Sequence, residues 1–215
     1  MFGENSFGIL VLLLATAFLP MVAVTVTAFA KIAVVIFIVR NALGVQQLPP
    51  NIILYGLSLI LSVYIAMPVL NEAYTNLEAN GFEYQTIEEW QNAGELALDP
   101  LKEFLKRHTD TKQLEFFSSS TTQIWGEGLA QSTSSDSMAI LVPSFLLSEL
   151  TRAFEIGFLL YLPFMAIDII VTTILVAMGM LMVPPTTISI PFKLMLFVFL
   201  DGWTKLVHGL ILTYV

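Results

Sequence analysis

Hydrophobic and polar positions divide the chain into two apolar blocks around one polar segment. Phe7 to Ala30 carries no charge, and Lys31 is followed by apolar sequence as far as Val39 and then by Arg40. Gly44, Pro49 and Pro50 predict a turn or loop across Asn41 to Asn51. Ile52 to Leu70 is again uncharged and close to the ~20 residues that carry a helix across a hydrocarbon core. The second block begins with apolar Met138 to Ser148, followed by the charged trio Glu149, Arg152 and Glu155. Ile156 to Val183 is apolar except for Asp168, Pro184-Pro185 breaks the chain, and Ile188 to Val215 holds Lys193, Asp201 and Lys205. The pattern predicts an all-α, membrane-associated fold of kinked helical hairpins. Residues 1–70 form the first apolar helical segments, 71–137 an acidic polar helical insert, and 138–215 the C-terminal apolar hairpins.

Within the insert, Thr86 with Glu89 three residues on has the spacing of a capping box. Asp99-Pro100 predicts the start of a second helix running to about Thr109. The polar stretches Ser118 to Thr122 and Ser132 to Ser137 predict solvated loops. Elsewhere the pattern resists a simple four-span protein. Pro20, Pro68 and Pro163 lie inside apolar runs, where proline kinks helices. Lys31 and Asp168 lie deep in apolar sequence, at about 2.5–3.5 kcal/mol each if exposed to lipid at a helix centre. Segments so interrupted are expected to pack on other subunits, in an obligate oligomer.

Composition sharpens the membrane reading. Of 215 residues, 56% are hydrophobic and only 12% charged, against about 25% charged in soluble domains. The net charge is −8, with twelve acids and four bases in residues 71–137 and five of each elsewhere. No basic stripe exists for nucleic acid. The chain has no cysteine, which excludes disulfides, thiol catalysis and thiolate metal sites. No Lys or Arg precedes the first apolar run, so that segment is expected to belong to the mature protein and not to a cleaved signal. The flanks of the insert, 71–86 and 122–137, also lack Lys and Arg, whereas Arg40 borders the 41–51 loop. Basic residues near membrane ends favour the cytoplasm, so the insert is expected on the far side and the loop on the cytoplasmic side.

The residues that could carry function are few. Met178, Met180 and Met182 alternate with Gly179 and Leu181 just before Pro184-Pro185. Either they fill an irregular core turn, as unbranched thioethers do, or they form a flexible apolar constriction where copies meet on an axis. Asp201 and Lys205 have the i,i+4 spacing of a helical pair, and Arg152 stands three residues from both Glu149 and Glu155. Asp168 has no local partner; it pairs with Lys193 across a hairpin or serves as a protonatable group in a conduction path. His108 and His208 lack a second ligand at metal spacing and are expected to be surface or packing residues. No phosphate loop, nucleophile–base–acid set or paired-carboxylate motif is evident, so the chain is not expected to be an enzyme or to need a cofactor.

Several ordered stretches resemble one family. They are Arg40-Asn41-Ala42-Leu43-Gly44-Val45-Gln46-Gln47-Leu48-Pro49-Pro50-Asn51, Ser148-Glu149-Leu150 running into Ala153-Phe154-Glu155-Ile156-Gly157-Phe158, and Pro163-Phe164 with Ile167-Asp168. Met178 to Pro185, Ile188-Ser189-Ile190-Pro191 with Lys193, and Asp201-Gly202-Trp203 continue the likeness, which covers about 7–70 and 138–215 but not the insert. Together they resemble the FliP/SctR family of export-gate subunits in flagella and virulence injectisomes. The resemblance implies a pentameric core in the bacterial inner membrane, built with S-type and T-type membrane subunits and larger export-gate subunits. That conical core stands largely proud of the bilayer and conducts unfolded protein substrates. It also implies that Met180-Leu181-Met182 is a pore gasket, with Leu181 where a third methionine is common. The short N-terminus looks more like the virulence branch. Two other readings stand beside the conduit: an ion-coupled transporter or proton-channel subunit using Asp168, and a scaffold that nucleates assembly without lining the path.

Overall fold

A computed structural model describes residues 13, 16–18, 20–45, 47–80, 87–126, 128, 134 and 136–215. Among the described residues, helical residues 20–25 are followed in order by α1 (Phe29–Ala42), α2 (Asn51–Asn80), α3 (Ile87–His108), α4 (Thr111–Trp125), α5 (Met138–Ala177), α6 (Pro185–Phe199) and α7 (Gly202–Leu212). No strand occurs among the described residues. α2 and α5 are each long and apolar enough to cross a bilayer, while α6 and α7 qualify only as a pair bent by 61°. The chain is an all-α membrane protein. Pro68 and Pro163 lie inside α2 and α5 without ending them, as proline can in membrane helices where neighbouring groups meet the freed carbonyl.

The described residues form two compact units that alternate in sequence. One contains the residues up to Ala30 and Ala66–Glu149; the other contains Lys31–Ile65 and Leu150–Val215. In the first unit, Val26, Leu105, Leu141 and Phe145 make a small core, flanked by Leu101, Phe104, Leu114, Met138 and Val142. α3 is amphipathic and begins with Glu88 and Glu89 and ends with Lys106, Arg107 and His108, an order that complements the helix dipole. The turn into α4 is held by Asp110, whose carboxylate accepts from the Lys112 amide at 2.8 Å while its own amide donates to Ser148 Oγ at 2.9 Å. His108 is buried, donating from Nδ1 to the Phe104 carbonyl at 2.8 Å. It is a packing residue.

Three local expectations for the insert meet the structure differently. The capping box at Thr86 lies outside the described residues. Asp99-Pro100 does not start a helix: α3 runs straight through Pro100. Its ring is buried, and burial of that apolar ring against the rest of the unit favours keeping it inside the helix despite the amide bond that proline cannot make. Ser118 to Thr122 is helical and not a loop. Ser119 and Thr121 fold their hydroxyls back onto the Phe116 and Phe117 carbonyls, meeting their polar needs inside the helix. Of the other polar stretch, Ser134, Asp136 and Ser137 are described and non-helical, and Ser137 leads into α5 by accepting from the Ala139 amide.

The second unit is built around α1. Lys31, Ile32, Val35, Ile36, Val39 and Ala42 are all buried, so this helix is covered on nearly every side. α2 contributes the stripe Leu54, Ser58, Leu61 and Ser62, and Ser58 is made compatible with burial by donating to the Leu54 carbonyl at 2.8 Å. α5 approaches α1 at Gly157, where a Cβ would lie 2.5 Å from Ile38 Cδ1. Only glycine permits that distance. α6 buries Ser189, Lys193 and Phe197 at four-residue intervals, a partly polar face that must find donors and acceptors on its neighbours. Phe197 packs against Phe164 at 6.3 Å and edge-on against Trp203 at 5.4 Å.

Candidate functional site

α5 ends in a Schellman motif. The Met180 amide donates to the Leu175 carbonyl at 2.9 Å and the Gly179 amide to Val176 at 3.0 Å, with Gly179 at φ 73°. Pro184, extended at φ −64° and ψ 121°, then precedes Pro185 in the first turn of α6. Two rigid anchors therefore bracket a short apolar loop. Its side chains hardly touch the rest of the chain: Leu181 is 77% exposed and Met182 97%, with Met178 and Met180 also exposed. Within the single chain these side chains therefore fill no core.

One turn into α6 the chemistry changes from apolar to ionic. Lys193, almost fully buried, donates from Nζ to Asp168 Oδ2 at 2.6 Å and to the Ala42 carbonyl at 2.9 Å. Ser189 donates to the other oxygen, Asp168 Oδ1, at 2.6 Å. The three contacts join the end of α1, the last quarter of α5 and the first two-thirds of α6. Ala42 is the last residue of its helix, so Lys193 meets an orphan carbonyl at the negative end of the α1 dipole. Beside this knot a cavity of about 730 Å³ is lined by Asn41, Gly44, Gln47, Thr186, Ile190 and Lys193, among others. Gly44, at φ 78°, lets the chain turn where a Cβ would come within 2.9 Å of Ile190 Cγ1.

Each of the remaining charges has its own surroundings. Lys31 is fully buried with its Nζ 3.5 Å from the centroid of the Tyr214 ring, a cation–π contact that partly replaces lost hydration. Arg40 lies over the Phe37 ring at 4.7 Å and donates from a guanidinium nitrogen to Asn51 Oδ1. Glu149 is fully buried, Arg152 half-buried and Glu155 exposed. Glu155 makes no bond to Arg152 among the described residues. Asp201 and Lys205 do not pair either. Asp201 stands before α7 in the left-handed region at φ 50°, outside the helical geometry that brings i,i+4 side chains together, and both are exposed. His208 is exposed as well.

A model of the FliP family matches residues 12–210. The chain belongs to the FliP family. Among its relatives, the "Probable translocation protein y4yL" of Sinorhizobium fredii is 53% identical over 96% of this chain and 95% of its own length. The "Yop proteins translocation protein R" of Yersinia pestis is 49% identical over 98% and 97%, and the "Hypersensitivity response secretion protein HrcR" of Ralstonia nicotianae is 43% identical over 96% of each. In this FliP-family chain, two stretches that carried the resemblance, Arg40 to Asn51 and Ile188 to Lys193, line one cavity and share the Lys193–Ala42 bond. Sequence reading missed Ser189, Asn51 and Tyr214 as partners. The four-residue spacing of Ser189 and Lys193 was a usable signal; Tyr214, far from Lys31 in sequence, left none.

Proposed function

We propose that this chain is the R-type subunit of a virulence-type type III secretion export gate in the bacterial inner membrane. In this reading five copies assemble with S-type and T-type subunits and larger export-gate subunits around a path for unfolded protein substrates. The insert 71–137 faces the periplasm. Met178, Met180, Leu181 and Met182 form the apolar seal of that path, with Gly179, Pro184 and Pro185 fixing its base. Family membership and the names of the translocation and secretion relatives support the export role. The observation that carries the seal is the exposed loop itself, an apolar tip held between a Schellman motif and a proline-started helix. Unbranched side chains on such a base repack at low cost around a passing chain. Ions, which would lose their hydration among them, are excluded.

The ion-coupled reading has less support. Both Asp168 oxygens already accept hydrogen bonds, from Lys193 and Ser189, as expected of a structural pair. The seal is tested by changing Met180, Leu181 and Met182 together to Gly in the complex expressed with its partners, and measuring proton and potassium leak across energised membranes. A leaking membrane with an assembled complex is the expected result. An ion-tight membrane with the complex intact would remove the seal from the mechanism.

A further inference from the structure

A second cavity lies within the unit built around α1. It has a volume of about 340 Å³ and is lined by Val39, Ile156, Phe164, Phe197, Leu206 and Gly209 together with other apolar residues, with Lys205 the charged member. We propose that this groove holds one anionic phospholipid, an acyl chain lying along the apolar walls and its phosphate on the Lys205 ammonium. The inference rests on the membrane fold and not on the gate reading.

Two observations favour this occupant. First, Lys205 is exposed and makes no ion pair or hydrogen bond through its side chain among the described residues; Asp201, the nearest acid on its own segment, is held outside the helix and does not reach it. A lysine whose stem lies on an apolar wall and whose ammonium is unpaired suits a phosphate at a membrane interface. Second, Gly209 stands in the interior of α7, where it weakens the helix relative to alanine, yet a Cβ there would meet nothing within 4 Å. Glycine is not demanded by any neighbour in the chain, whereas a ligand running along α7 needs that open strip.

The test uses the full chain in a mild non-ionic detergent, titrated with dioleoylphosphatidylglycerol or dioleoylphosphatidylcholine, with adducts counted by native mass spectrometry. One phosphatidylglycerol per chain should survive activation that strips phosphatidylcholine. Lys205→Gln should reduce that preference by about fivefold, as one lysine near an anionic head contributes. Gly209→Leu, which fills the groove, should abolish adducts of both lipids. Gly209→Ala, a smaller change that favours the helix, should keep them and shows that the segment still folds. Equal retention of the two lipids by the wild-type chain, or no effect of Lys205→Gln, would overturn the proposal. So would a Gly209→Leu chain that keeps its lipid but changes its oligomeric state, because a second copy would then own the groove. If Gly209→Leu does not fold, Lys205→Gln decides alone.

Discussion

Removing the Lys193 ammonium is the most informative single perturbation of the buried knot. In Lys193→Met, which keeps the length of the stem, Asp168 loses its cation and the Ala42 carbonyl its donor. Stranding one member of a fully buried pair costs about 3–5 kcal/mol. The Asp168 side chain is 33% exposed, so the stranded carboxylate regains some hydration and about 2–3 kcal/mol is expected. For a chain of this size that lowers the apparent unfolding midpoint by roughly 5–10 °C. Asp168→Asn should cost at least as much, because it leaves the almost fully buried Lys193 ammonium with neutral acceptors and no counter-charge. The double variant should fall short of the sum of the singles by about 1–2 kcal/mol, the coupling of neighbours in one network. Tryptophan fluorescence in detergent at a fixed scan rate reads the midpoints, and secretion of a reporter substrate is followed in parallel. A Lys193→Met chain as stable as wild type would refute the view that this pair holds α5 to α6. A stable, assembled Asp168→Asn chain that no longer secretes would instead restore the ion-coupled reading.

Two further tests address local geometry. Gly179→Ala meets no neighbour and should cost only the left-handed backbone penalty of about 1–2 kcal/mol. Gly44→Ala adds a 2.9 Å clash with Ile190 to the same penalty and should cost about 2–4 kcal/mol; equal midpoints for the two would count against the close approach. Asp110→Ala removes the α4 cap and should cost about 1 kcal/mol, seen as faster hydrogen exchange at the Lys112 amide.

The charge-free runs, the double proline and the scarcity of charge made the helical membrane fold legible, because a bilayer punishes every unpaired backbone group and nearly every exposed charge. The export family was legible for another reason: its stretches are specific and ordered. The Asp168–Lys193 pair stood among the alternatives, since two opposite charges in apolar hairpins have few ways to be tolerated. Local rules failed where tertiary contacts overrode them. Pro100 stays inside a helix that buries its ring, and Ser118 to Thr122 stays helical because hydroxyls can bond backward.

What the sequence alone determined was therefore which segments leave water and which charges must be compensated, quantities set by composition and spacing along one chain. What only the tertiary structure decided was the identity of the compensating group. Lys31 rests on Tyr214, Arg40 on Phe37 and Asn51, and Lys193 on a carbonyl at the end of α1. Phe37 is one helical turn from Arg40, but Tyr214 and Ala42 lie far in sequence from the lysines they meet, and only packing brings them within the few ångströms over which such interactions act.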